Sequence, residues 1–349
     1  MRIAGVSSAF PKNFYPQEVI REALKKKWAG KLDRPQVLDR FHESVGVKTR
    51  HLALPIPAYS ELKTWGDANN AWIDCALDLG KQALCRALNQ AGLSAADLGA
   101  IFFVSVTGIA SPSIEGRLIN RMGLSPNIKR IPIFGLGCVA GAAGIARAAD
   151  YVKAYPKQAA ALLSVELCSL TWREDDVSAA NLISAGLFAD GAASVIVAGN
   201  ELSDHGPQVL ATRSVFYPDT EDVMGWDISE KGFRIVLSRS VPDMVELHLA
   251  GDVDQFLGDH DLDRSDITSW IMHTGGPKVL EATEKALKLP PGALAPSWES
   301  LRESGNLSSA SVLLVLEKFM NKERPAPGAL SVLAAMGPGF CSELVLLQW

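Results

Sequence analysis

The 349-residue chain is 48% hydrophobic and 21% charged, with a formal net charge of −5, the balance of an ordinary globular protein able to bury a large core. No basic run points to nucleic acid, no apolar stretch reaches the roughly 20 residues that span a bilayer, and residues 1–11 carry no convincing cleavage site for a leader. Five cysteines without Cys-x-x-Cys spacing fit a reducing cytoplasm and suggest neither a disulfide framework nor a metal site, and no glycine-rich phosphate loop follows a strand.

In chain order, residues 71–91 carry a helical pattern in which Cys75 and Cys85 read as core. A turn at Asp97 leads into a β-rich run over 100–106 that ends Thr107-Gly108. The run 131–136, Ile-Pro-Ile-Phe-Gly-Leu, predicts a buried strand, and the alanine-rich stretch 139–152 predicts a helix. Cys138 stands at their junction, facing the N–H groups of a helix N-terminus, whose partial charge favours thiolate over thiol. The glycines around it let a substrate come close to the backbone. Further strands are predicted at 160–166, 191–198, 211–216, 269–273, 329–334 and 343–348, and Cys341, at the start of the last strand, reads as core. Their alternation with helical stretches argues for α/β halves with helix-covered sheets.

The chain also repeats itself once. Leu93-Ser-Ala-Ala-Asp97-Leu98 runs into the 100–106 strand, and Leu262-Asp-Arg-Ser-Asp266-Ile267 runs into 269–273, which ends Thr274-Gly275-Gly276. Cys138 and Asn306 lie at nearly equal distances beyond Asp97 and Asp266, each at a glycine turn that opens a small-residue helix, 139–152 or 308–320. Two α/β halves, 1–205 and 206–349, are therefore expected to pack as one two-fold unit. That packing brings Cys138, His273 at the end of the 269–273 strand, and Asn306 to one central site.

Those three residue types suit one chemistry. His273 beside Cys138 is expected to form a thiolate–imidazolium pair that takes an acyl group from a thioester. Asn306 offers two amide hydrogens and no acidity, so with the His273 N–H it can hold the oxygen of an enolate left when a malonyl thioester loses carbon dioxide. A hydrolase would more often orient its histidine with an acidic partner.

Four motifs, Gly137-Cys138-Val-Ala-Gly, Leu187-Phe188-Ala-Asp190-Gly191, His273-Thr-Gly-Gly-Pro277 and Gly305-Asn306-Leu-Ser308, resemble those of the type III polyketide synthases. These form the chalcone-synthase-like branch of the thiolase superfamily, and the resemblance covers nearly the whole chain. It implies a duplicated α/β fold with a five-layered α-β-α-β-α core, Cys138 as nucleophile, and His273 with Asn306 as the decarboxylation and oxyanion pair. Phe188 matches the family's gatekeeping phenylalanine between coenzyme A tunnel and cavity. Met336-Gly337-Pro338-Gly339-Phe340 resembles the loop that shapes the cyclisation pocket, and Gly275, Gly276, Ser308 and Pro338 fall at substrate-binding positions.

Departures from the family pattern are equally specific. Of three basic coenzyme A contacts in plant members, only Arg40 remains, with Val37 and Ser44 at the others; Lys48, Arg50 and Lys278 are the substitutes on offer. Ser111 replaces a methionine that reaches into the partner subunit. Trp226 stands where plant enzymes have glycine, while Val106, Thr107, Cys168 and Thr171 match cavity-lining positions. The segment Asp222-Val-Met-Gly-Trp-Asp-Ile resembles bacterial members that make alkylpyrones or alkylresorcinols from fatty acyl-CoA starters. The resemblance implies a homodimer using acyl-CoA and malonyl-CoA with no cofactor, metal or obligatory carrier protein. A ketoacyl-carrier-protein synthase of the initiation type and a catalytically silent acyl-CoA-binding subunit are the alternatives.

Overall fold

A computed structural model describes residues 1–32 and 34–349. One leaf of sheet runs, in spatial order, Lys129–Ile133, Leu98–Val104, Ala159–Leu167, Asp190–Ala198 and Arg2–Ala9. The other runs Gln208–Phe216, Cys341–Gln348, Leu330–Gly337 and Ile267–Met272, and the two meet edge to edge at Arg2 and Gln208. Corresponding strands share direction. Leu98–Val104 pairs parallel with Ala159–Leu167, as Ile267–Met272 does with Leu330–Gly337, and each pair is followed by an antiparallel neighbour.

Strand periodicity of two divides each leaf between two cores. Ala100, Phe102 and Val104 face one core and Ile101 and Phe103 another; in the second leaf Leu333 and Ala335 part from Val332 and Ala334 in the same way. The shared middle core contains the helices Ala140–Ala154 and Ser311–Asn321, which read as alanine-, valine- and leucine-rich because they are covered on nearly every side. The outer faces are closed by Trp65–Ala91 on the first leaf and by Val241–Gly258, Pro277–Leu287 and Ala295–Ser304 on the second. The result is the five-layered α-β-α-β-α arrangement of the thiolase-like fold. Gly141 lets the central helices touch, since a Cβ there would lie 2.3 Å from the Ser309 carbonyl.

The duplication extends to the turns. Ser94 with Asp97 and Asp263 with Asp266 form the same capping box, each opening a short 3₁₀ turn before the strand. One expectation fails: the strand before Cys138 is not buried. It spans Lys129–Ile133 at the sheet edge, largely exposed, and Phe134 beyond it is 47% exposed. Pro132 has no N–H to give a second neighbour, and Lys129 and Arg130 suit an edge. This strand has no counterpart before Asn306, which follows the Ala295–Ser304 helix instead. Cys75, Cys85 and Cys341 are half-buried rather than enclosed.

Candidate active site

Cys138 sits in the 3₁₀ turn Gly137–Val139 that opens the first central helix, and is itself 5% exposed. Gly137 holds φ +55°, and a Cβ on it would meet the Pro338 ring at 2.7 Å, so the turn and the 336–340 loop fit only with glycine there. Gly137→Ala is expected to cost about 1–3 kcal/mol through strain and the Pro338 clash. An unchanged urea midpoint would contradict this contact.

Asn306 stands after Gly305, whose φ of +75° ends the preceding helix. Its Oδ1 accepts from the Ser308 N–H at 2.7 Å and from Ser311 Oγ at 3.2 Å. That network assigns the amide orientation and leaves its NH2 without a protein acceptor among the described residues. His273 lies one residue beyond its strand, anchored by its N–H to Ala334, and both ring nitrogens are buried without a partner among the described residues.

These three side chains line one outer cavity of about 490 Å³. An inner cavity of about 200 Å³ lies beyond it, and Cys138, Phe188 and Met224 line both. Phe188 is fixed through its backbone: Asn306 N–H donates to Leu187 O at 2.9 Å, and Ala189 N–H donates to Asn306 O at 2.8 Å. Gly275 and Gly276 line the outer cavity. Val106, Thr107, Cys168, Thr171, Trp226, Ser308 and Pro338 line the inner one. Ser308 Oγ lies 3.7 Å from the Cys138 sulfur, and Trp226 packs on Phe233 with ring centroids 5.6 Å apart.

The resting charge state differs from the expected ion pair. Burial pushes the Cys138 thiol up to about 12 and the His273 imidazole down to about 4, so both are neutral at pH 7. The helix N-terminus is too small an effect to offset that burial.

Not every expected phosphate contact reaches the site. Arg50 is fully buried and unavailable to a phosphate: Nη1 donates to Phe188 O at 2.5 Å and Nε to Gln17 Oε1 at 2.9 Å, so it braces the Phe188 backbone. Arg40 and Lys48 are exposed and line neither cavity, whereas Ser44 and Lys278 do line the outer one. Arg239, missed in the sequence, joins Lys278 there, and neither is ion-paired among the described residues. Glu166 was also missed. It lies in the Ala159–Leu167 strand and accepts from Val106 N–H, Thr107 Oγ1, Ser105 Oγ and Ser309 Oγ. A lone carboxylate in an apolar strand was the available signal. No described group of three His, Cys, Asp or Glu side chains has metal-binding geometry, and no described helix is long and apolar enough to cross a membrane.

Buried His42 gives a pH prediction. Burial, with the nearby Arg50 charge, lowers its pKa from 6.5 to about 3. Between those values the unfolded chain binds more protons, so this contribution to stability is lost as pH falls below about 6.5. Raised carboxyls such as Asp190, at about 6, act in the opposite sense, so the test compares variants. Relative to wild type, His42→Phe is expected to gain about 1 kcal/mol per pH unit between pH 6.5 and 4.5 in urea unfolding. A constant difference across that range would contradict the assignment.

A duplicated five-layer α/β fold with a buried thiol between two cavities defines a thiolase-like acyltransferase. Profiles of the chalcone and stilbene synthases match residues 2–201 (N-terminal domain) and 208–349 (C-terminal domain). The chain belongs to this family, the type III polyketide synthases, transferases that act on coenzyme A thioesters. It is 50% identical to 1,3,6,8-tetrahydroxynaphthalene synthase of Streptomyces peucetius subsp. caesius, across 99% of this chain and 93% of that one. It is 31% identical to 3,5-dihydroxyphenylacetyl-CoA synthase of Amycolatopsis orientalis, across 100% and 93%. The crystal structure of 1,3,6,8-tetrahydroxynaphthalene synthase from Streptomyces coelicolor A3(2) superposes with a TM-score of 0.94 at 34% identity, covering 100% of this chain and 99% of that one.

Proposed function

We propose that Cys138 carries the growing chain and that His273 and Asn306 stabilise the enolate that extends it. The carrying observation is that all three line one cavity while Cys138 also faces a second, giving room for a thioester on one side and a growing chain on the other. His273 takes the Cys138 proton as the sulfur attacks the acyl carbonyl; the bond to the coenzyme A sulfur breaks, and the proton leaves with that thiol. Because both groups start neutral, no standing ion pair is needed: the proton moves to His273 as the sulfur attacks. Malonyl-CoA next loses carbon dioxide, and its enolate oxygen is held by His273 N–H and Asn306 NH2. The enolate carbon attacks the Cys138 thioester and returns the sulfur as thiolate. Phe188 shields the malonyl carboxylate from water, and Arg239 and Lys278 meet the coenzyme A phosphates.

For the product we infer 1,3,6,8-tetrahydroxynaphthalene or a close aromatic relative, supported by 50% identity to a synthase of that compound across nearly the whole chain. Such a skeleton is assembled from two-carbon units, so malonyl-CoA serves as starter and extender. A fatty acyl starter giving an alkylpyrone or alkylresorcinol is the second reading, favoured by the apolar inner lining of Met224, Trp226, Ile228 and Ile235. The proposed enzyme is a cytoplasmic homodimer, in keeping with five free cysteines and the exposed Ile109 and Phe134, and needs no cofactor beyond its thioester substrates.

The test is incubation with malonyl-CoA alone, with malonyl-CoA and starters from acetyl to stearoyl and benzoyl, and with malonyl loaded on a carrier protein, products read by mass spectrometry. A polyhydroxylated naphthalene from malonyl-CoA alone is expected. Products only from long acyl starters would favour the second reading. Extension only from carrier-bound malonyl would overturn the mechanism in favour of a ketoacyl synthase.

A further inference from the structure

The loop 336–340 walls the site from both sides: Pro338 lines the inner cavity, and Met336 and Phe340 line the outer one. Its only covalent supports are the two strands it joins, Leu330–Gly337 and Cys341–Gln348. Its position on Cys138 is tight, since a Cβ at Gly337 would lie 3.0 Å from the Val139 nitrogen. The strands pair as far as Gly337 and Cys341, so contacts on the short turn between them set where Pro338 stands.

We propose that Thr220, with Tyr217 and Asp252 behind it, forms a clamp that positions this loop and thereby governs how far a chain is extended before release. The Thr220 hydroxyl donates to Tyr217 O at 2.6 Å and accepts the Phe340 N–H, while Tyr217 N–H donates to Phe340 O at 2.9 Å. The Phe340 peptide is thus held at both polar atoms by one turn. That turn is tied in its own right. Tyr217 OH donates to Asp252, Ser342 Oγ donates to the same carboxylate oxygen at 2.8 Å, and the Tyr217 ring stacks on His248 with centroids 4.1 Å apart. His248 and Asp252 lie one turn apart on the Val241–Gly258 helix, whose neighbouring face, through Val245 and Leu249, lines the outer cavity. Helix, turn and loop form one brace, and none of the three clamp residues lines either cavity. They are positioning residues: they act through Pro338 and Phe340 on the space where the chain folds, and not on the thiol.

The inference rests on the functional reading above, and the test separates the two. Thr220→Val keeps the shape but deletes both hydroxyl bonds; Thr220→Ser keeps them. For each enzyme, carbon dioxide release from malonyl-CoA is measured beside the ratio of short, early-released products to the full-length product. Thr220→Val is expected to release carbon dioxide at the wild-type rate with that ratio raised about fivefold, the equivalent of losing the one hydrogen bond that reaches the loop, from Phe340 N–H, and Thr220→Ser to restore it. Tyr217→Phe, which keeps the ring stack, is expected to raise the ratio in the same direction and stands in if Thr220→Val does not fold. An unchanged ratio in an active variant, or equal loss of carbon dioxide release and product, overturns the clamp alone. A wild-type enzyme that releases no carbon dioxide overturns the functional reading and this inference with it.

Discussion

Replacing Cys138 with alanine is expected to lower polyketide formation by at least about 1,000-fold while leaving carbon dioxide release from malonyl-CoA largely intact. The two activities part because they use different groups. Chain growth needs a sulfur to hold the acyl unit, whereas decarboxylation needs only donors for the enolate oxygen and an apolar wall beside the carboxylate. His273, Asn306 and Phe188 remain in Cys138→Ala, and the alanine fits a turn already lined by small residues. Parallel assays of released carbon dioxide and extended product check this. Loss of both would mean that the thiol also takes part in decarboxylation.

Asn306→Asp carries the second large expected effect, a fall of about 100- to 1,000-fold in carbon dioxide release. The substitution keeps shape and keeps an acceptor for Ser308 N–H and Ser311 Oγ, so the local fold is preserved. It removes both N–H donors and turns a carboxylate toward the cavity, where a negative oxygen must form. A stable protein with the wild-type rate would show that the Asn306 amide does not hold the enolate. The phenotype differs from that of Cys138→Ala, since Asn306→Asp loses decarboxylation and with it chain growth, whereas Cys138→Ala loses chain growth alone; the pair tests the division of labour.

Much of this is legible in the sequence, for a physical reason. The repeated capping boxes at Ser94/Asp97 and Asp263/Asp266 fix where each half's parallel strand begins, and the glycine turns at 137 and 305 fix where the side chains emerge. Local rules suffice there. Failures came where a residue's meaning depends on distant neighbours. Arg50 reads as a substitute coenzyme A contact until the Phe188 carbonyl and Gln17 are found around it. The run 131–136 reads as a buried strand because apolar content does not reveal that the strand it overlaps, Lys129–Ile133, lies at an edge. The thiolate expected from the helix terminus was overruled by enclosure, which only the assembled halves produce. Thr220 and Asp252 carried no local signal, because their partners lie on the 336–340 loop and on the turn at Tyr217.

The central claim is that the thiol between the two cavities carries the growing chain, and intact-protein and peptide mass spectrometry of enzyme quenched during turnover with malonyl-CoA tests it most directly. The account predicts acyl adducts on the peptide containing Cys138, spaced by two-carbon ketide units and absent from Cys138→Ala. Turnover without any adduct there, or with the adduct on Cys168 instead, would contradict it.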